Sequence, residues 1–144
     1  MAGDRALTAD TLGAWLFKAT GSDASTQAHL RTGFADVQAR CVRPTYRTDL
    51  VTARQRVLLW VSGTGAGVHA YGRTTGPARD GEVPLVLTPL DPPLLRSELV
   101  GHAALAGLEV LRMPAGSNPS YVTSAQLEVL VGMREELGRR EWGA

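Results

Sequence analysis

The stretch RVLLWVSGTGAGVHAYGRTTG, residues 56–76, decides how the chain folds. Its first half, VLLWVS (57–62), is apolar on both faces, the pattern of a central strand. Beyond the glycines, Val68, Ala70 and Gly72 alternate with His69, Tyr71 and Arg73. Period two means a second strand, with one small apolar face and one large, polar-tipped face. A few glycine-rich residues separate the two strands, so an antiparallel hairpin is predicted. Gly63, Gly65 and Gly67 do not fit G-x-G-x-x-G, because position 68 is valine, and no G-K-[ST] follows. A phosphate cradle needs a helix N-terminus after the glycines, and here a strand follows. The glycines are therefore read as a turn, past which a ligand could still approach the backbone closely.

Working outward, AWLFKA (14–19) reads as a strand. TGSDASTQAHLRTG offers Ser22 or Asp23 as a helix N-cap and Gly33 as a stop. DVQARCVR (36–43) alternates Val37, Ala39 and Cys41 with Gln38, Arg40 and Val42, a half-buried strand ended by Pro44. EVPLVLTPL (82–90) is a further strand, a short helix is allowed after Pro93, and LEVLRM (108–113) is a short strand. PAGSNPSY is a loop by composition. Thr123 with Gln126 forms a capping box, and Val122 can staple onto Leu127. Leu127, Leu130, Val131, Arg134 and Leu137 share a helical face that Gly138 ends. The expectation is an α+β domain: a small, curved or barrel-like sheet of five to six mostly antiparallel strands, flanked by short helices and closed by a C-terminal helix. It spans residues 13–138, with an N-terminal extension over 1–12 and a frayed tail over 139–144.

The chain's 144 residues suit one domain with a core of its own. No apolar run is long enough to span a membrane, and the N-terminus lacks the apolar segment of a secretory signal, so a cytoplasmic protein is expected. One cysteine cannot make an internal disulfide. Net charge is only +1, but it is unevenly spread. Residues 31–79 hold eight arginines against Asp36 and Asp49, and residues 80–144 hold five arginines against nine acids. The pattern permits a basic face that meets phosphates. A solvated surface in a chain with fourteen arginines and a single lysine accounts for it as well.

Reactive constellations are missing from the sequence. His29, His69 and His102 have no i, i+4 partner and no cysteine pair nearby, so no metal site and no cofactor are expected. Ser62 lacks the first glycine of a G-x-S-x-G elbow and leads into a hairpin. Cys41 is expected to be a buried, inert thiol. A non-enzymatic protein is the expectation. The eight aromatics are ordinary core residues by default. A ring beside a hydroxyl and among arginines also meets the needs of a splayed-out base: the ring stacks, the hydroxyl reads an edge and the arginines hold the backbone.

WLFKA, FADVQARCVRP, VLLWVSGTGAGVHAYGRT and LEVLRMPAGSNPSYVTSAQLEVL, in that order, resemble the EVE domain of the PUA-like group, which is related to PUA and YTH domains. The similarity runs over about residues 13–138 and rests mainly on W-V-S-G-x-x-A-G-V-x-A-x-G together with P-A-G-S-N. It implies a PUA-like barrel and a domain that binds DNA or RNA, holding a flipped, modified base, a modified cytosine or a modified RNA base, in an aromatic and polar pocket. Lys18, Thr20, Phe34, Val37, Trp60, Ser62 and Asn118 would form that pocket. Arg40, Arg43, Arg47 and Arg73 would supply a basic rim. A separate nuclease or modification-dependent effector is the implied protein partner. Two departures stand out: the chain has Phe34 and no tryptophan in the turn before the second strand, and Arg54-Gln55 replaces the family's Gly-Asp, losing a glycine-dependent turn. These departures favour the alternative reading, a protein-interaction or small-molecule-binding domain that has kept the fold.

Overall fold

The computed structural model describes residues 7–35, 37–113 and 119–138. In chain order its elements are β1 (Leu12–Thr20), α1 (Ala24–Arg31), β2 (Ala39–Cys41), β3 (Arg56–Ser62), β4 (Gly67–Thr74), β5 (Glu82–Leu95), α2 (Arg96–Val100), α3 (Glu109–Arg112), β6 (Ser120–Thr123) and α4 (Ser124–Met133). Six strands make one mixed sheet in the order β2-β5-β4-β3-β1-β6, curled into a half-barrel and flanked by four short helices. The expected α+β class and curved sheet are observed.

The doubly apolar VLLWVS forms β3, which lies between β4 and β1. The glycines turn the chain into antiparallel β4, with Gly63 at φ +97° and Gly65 at φ +71°, a region open chiefly to glycine. One residue is extra in this hairpin. Leu59 pairs with Ala70, but Trp60 pairs with Val68, so His69 sits in a bulge. The bulge breaks the expected alternation: Val68 and Tyr71 both pack on the same face as Trp60, and Tyr71 is buried instead of lying on a polar face.

Among the described residues, all strand pairings are antiparallel except one. β1 runs parallel to β3, in register from Trp15 opposite Val57 to Thr20 opposite Ser62. Parallel neighbours need a long crossover, which residues 21–55 provide. Alternation then sends side chains to two cores. Leu16, Leu58 and Trp60 face one cluster with Leu99, Leu108, Val110, Leu127 and Leu130 from the helical side. Trp15, Phe17, Val57 and Leu59 face the other, with Phe34, Val37, Val51 and Leu85. Leu7 joins this second cluster, so part of the segment expected to be an extension is packed onto the domain.

The turn into β3 keeps its shape without glycine. Arg54 itself adopts φ +67°. Gln55 organises what surrounds it. Its Oε1 accepts from the indole Nε1–H of fully buried Trp15 at 2.7 Å and from Thr52 N–H at 2.9 Å. Its Nε2 donates to the Leu50 carbonyl at 3.0 Å. The expected loss of the turn conformation is thus corrected: a residue other than glycine bears the strain, and an amide ties the loop.

Two arginines join the two edges of the curl. Arg40, on edge strand β2, donates from Nη2 to the Lys18 carbonyl of β1 at 3.0 Å, beyond the point where β6 stops pairing with β1. Arg47 forms two parallel bonds to Glu109 of α3, both 2.8 Å, donates to the Pro119 carbonyl at 3.1 Å, and lies 5.0 Å from the centre of the Tyr121 ring. Ser120 Oγ donates to Glu109 Oε1 at 2.6 Å. Burial disfavours the charged Glu109. The hydrogen bonds from Arg47 and Ser120, and the charges of Arg47 and Lys18, outweigh it and hold the carboxyl below its usual range.

Other expectations are corrected. The strand expected over 36–43 shrinks to Ala39–Cys41, and Cys41 is exposed, not buried. LEVLRM is not a strand: Glu109–Arg112 make one helical turn, because β6 already takes the free edge of β1. β6 itself was hidden in the residues before the capping box. β5 does not end at Leu90 but runs on through Pro92 and Pro93 to Leu95, and the short helix expected after Pro93 follows as α2. The box is formed as predicted, but α4 ends at Met133, and Leu137 is buried from a separate turn over Glu135–Gly138.

Gln55→Ala is expected to destabilise the domain by about 2–3 kcal/mol, since a buried indole N–H and a loop carbonyl lose their partners. Arg54→Gly is expected to stabilise it by up to about 1 kcal/mol by relieving the left-handed backbone. Urea unfolding followed by tryptophan fluorescence measures both. Removing Glu109 leaves Arg47 half-buried and unpaired, and Glu109→Gln should cost about 2–3 kcal/mol at pH 7, below the range for a fully buried pair. Because the folded carboxyl titrates below the unfolded one, its stabilisation is present above the unfolded value near pH 4.3 and is lost as pH falls through the folded one. The gap in stability between the parent protein and Glu109→Gln should therefore narrow as pH drops from about 5 to 3.

Candidate functional site

β1 and β3 end side by side, and their last residues, Thr20 and Ser62, are partners in the parallel ladder. Beyond them the chain opens a hollow of about 350 Å³ between the start of α1 and the β3–β4 turn. That volume lies in the range of small-ligand sites, about 300–1,000 Å³. Hydroxyls line it from Thr20, Ser22, Ser62 and Thr64, with the Gln27 amide and the His69 imidazole beside them. Among the described residues, no arginine, lysine or carboxylate lines this hollow.

Local sequence explains the shape. Gly21 N–H donates to the Ser62 carbonyl at 3.1 Å, and a Cβ at Gly21 would overlap that oxygen, so only glycine lets the two strand ends meet. Asp23 caps α1 by accepting from Ser25 N–H, and the helix ends in a Schellman motif. Phe34 N–H reaches the His29 carbonyl at 2.9 Å, Gly33 N–H reaches the Leu30 carbonyl at 3.4 Å, and both residues lie in the left-handed region. Three polar side chains are tied to backbone carbonyls: Gln27 Nε2 donates to Gly21, Ser62 Oγ to Ala19 at 3.4 Å, and His69 Nε2 lies 2.9 Å from the Gly65 oxygen.

The sequence-predicted site residues are only partly brought together. Thr20 and Ser62 line the hollow. Trp60 is 4% exposed in the core on the helical side, and Phe34 and Val37 are buried in the core on the opposite face. The sheet lies between Trp60 and Phe34, so these two rings do not form one cage. Lys18 faces away toward the Arg47–Glu109 pair: its Nζ donates to the Met113 carbonyl at 3.3 Å, and burial lowers its pKa despite the opposing pull of Glu109. Asn118 lies outside the described residues.

The expected rim is also redistributed. Arg47 is engaged by Glu109, and Arg40 is committed to the Lys18 carbonyl. Arg73 stands opposite Arg56 at the far end of the hairpin, roughly 20 Å of strand from the glycine turn. Arg43 is exposed. Two further exposed cations belong to segments that border the hollow. Exposed Arg31 follows Leu30, a lining residue, on α1. Exposed Arg96 donates its backbone N–H at 2.8 Å to Ala66 in the turn that rims the hollow. Sequence reading missed Gln27, His69, Arg31 and Arg96 as a group. Gln27 and Arg31 lie on α1, His69 on β4 and Arg96 at the start of α2, so no single stretch of sequence shows them together.

No family model matches the chain, and no curated protein matches it. Three solved structures are similar in fold. Rpa0253 from Rhodopseudomonas palustris shares 17% identity at a TM-score of 0.64, over 85% of this chain and 92% of that one. A Pseudomonas putida protein shares 17% at 0.66, over 83% and 98%. A hypothetical protein from Leishmania major shares 15% at 0.64, over 92% and 100%. At these identities the similarity establishes the fold alone.

Proposed function

We propose that the domain binds nucleic acid and lodges one extruded, modified base in the hollow at the ends of β1 and β3. The observation that carries this reading is the ladder partnership of Thr20 and Ser62, which sets two hydroxyls at the floor of an uncharged hollow of about 350 Å³. A neutral, hydroxyl- and amide-lined space suits the hydrogen-bonding edge of a heterocycle, and cations outside it suit the strand that carries the base. Extrusion costs a few kcal/mol of unstacking, which contacts in the hollow must recover. The His69 imidazole is the ring among the lining residues that offers a stacking surface. Arg31 and Arg96 take the phosphate contacts that sequence reading gave to Arg40, Arg47 and Arg73. The base is a modified cytosine in DNA or a modified base in RNA, the protein acts in the cytoplasm without chemistry of its own, and a nuclease or other effector acts on what it marks.

Fluorescence anisotropy against DNA and RNA oligonucleotides, each with and without a modified base, tests the reading. One modified probe should bind more tightly than its unmodified twin. Ser62→Ala should shrink that preference, and Arg31→Ala and Arg96→Ala should weaken all probes alike while each reduces the salt slope by about 1. Equal binding of every probe, or binding indifferent to salt, would defeat the proposal. Binding of free nucleosides or another small polar ligand with no gain from a polynucleotide would instead support the small-molecule alternative.

A further inference from the structure

The polarity of the hollow's side chains carries one step more, resting on the nucleic-acid reading for its ligand. A backbone carbonyl oxygen has lone pairs and no proton, so whatever lies within hydrogen-bond distance must donate to it. Gln27 therefore turns its NH₂ to the Gly21 carbonyl. An amide turned the other way would set oxygen against oxygen. By the same logic His69 carries a proton on Nε2, 2.9 Å from the Gly65 carbonyl. In the neutral ring this leaves Nδ1 as an acceptor. Ser62 spends its one hydroxyl proton on the Ala19 carbonyl, and its lone pairs remain.

The consequence is an asymmetry. Thr20, Ser22 and Thr64 carry hydroxyls that rotate to donate or accept. One of the two Gln27 N–H donors, and the single donors of Ser62 and of the neutral His69 ring, are engaged by the chain, so what these side chains offer a ligand is weighted toward acceptance. Among the described residues, no arginine, lysine or carboxylate lines the space to override this bias. We infer that Gln27 and His69 make the hollow an acceptor-rich site that selects a ligand edge bearing an exocyclic amino group, and that they discriminate against the same ring carrying an oxo group there. An amino edge finds acceptors. An oxo edge brings one ring N–H in place of the amino group's two and sets its oxygen against Gln27 Oε1 or His69 Nδ1.

The test uses single-stranded oligonucleotides that differ at one position, cytosine against uracil and adenine against hypoxanthine, together with free cytidine and uridine. The amino-bearing probe of each pair should bind roughly ten- to a hundredfold more tightly, the usual worth of matched against mismatched edge contacts. Gln27→Lys keeps an N–H for the Gly21 carbonyl and removes the acceptor, so the ratio between paired probes should fall toward one or invert. His69→Phe should reduce the same ratio while keeping a ring. Circular dichroism confirms that each variant is folded, and taking the ratio cancels the lysine's added attraction for the phosphates, which both probes of a pair share. Equal or tighter binding of the oxo probes overturns the inference, as does an unchanged ratio in Gln27→Lys and His69→Phe. If oligonucleotides bind without preference, nucleic-acid binding stands and this inference falls. If cytidine is preferred to uridine with no gain from an oligonucleotide, the inference stands and the nucleic-acid reading falls. Absence of binding by every probe defeats both.

Discussion

The parallel pairing of β1 with β3 is the constraint on which the rest of the molecule depends. Neighbouring strands that run the same way cannot be joined by a tight turn, so the chain must leave Thr20, travel over α1 and β2, and return to Arg56. That journey has three structural results. It brings Trp15 beneath the Val51–Gln55 segment, where the indole meets Gln55. It brings the β2 edge round to β1, where Arg40 reaches the Lys18 carbonyl. It ends both strands at one place, so that Thr20 and Ser62 open on a shared hollow. A shift of register by one residue would send every side chain of β1 to the other face and dismantle all three.

The same sheet determines what kind of pocket the fold can make. Side chains on alternate positions of β1 and β3 feed two cores, and these lie on opposite faces. Trp60 and Phe34 belong to different cores and meet nothing in common. The large rings are spent on stability, and the open space falls where the strands stop and the chain turns polar. This is why the hollow is built from hydroxyls, an amide and an imidazole. The seam on the other flank is also spent on structure. Arg47, Glu109, Ser120 and Tyr121 form a packed ionic cluster in which Arg47 has little left for a phosphate. A run of arginines in sequence thus divides into those that bond across the half-barrel and those that remain at the surface.

Where local chemistry decided an element, the sequence was legible. VLLWVS had to be buried on both faces, Gly63 and Gly65 had to turn, Asp23 and Thr123 had to cap, and each did so. Where a choice was tertiary, the sequence misled. LEVLRM has the apolar content of a strand, but β6 occupies the edge it would have used. The bulge at His69 reversed which residues of β4 share a face, and no single residue announces a bulge of this kind. Arg54 shows the opposite case: losing glycine suggested a lost conformation, but Gln55 and Thr74 bind the loop tightly enough to hold an arginine at positive φ. Of the candidate site, Ser62 ends a predicted strand, and Thr20, just past the strand read over 14–19, was named through the family resemblance. Gln27, on a helix, and His69, in a bulge, become neighbours of those hydroxyls only once the crossover is made.

Orientation of the polar groups follows from that same crossover. Around the paired ends of β1 and β3, the carbonyls of Ala19, Gly21 and Gly65 each take a side-chain partner. Carbonyls accept and need donors. Ser62, Gln27 and His69 supply them, and each side chain is held in place by doing so. A group oriented by its own fold loses little freedom when a ligand arrives and presents a fixed polarity to it. The accounting that satisfies the backbone therefore also sets the hydrogen-bonding character of the hollow. Structural need and recognition are here one set of bonds, so a substitution that spared one role while removing the other must preserve a donor toward the chain and change only what faces outward.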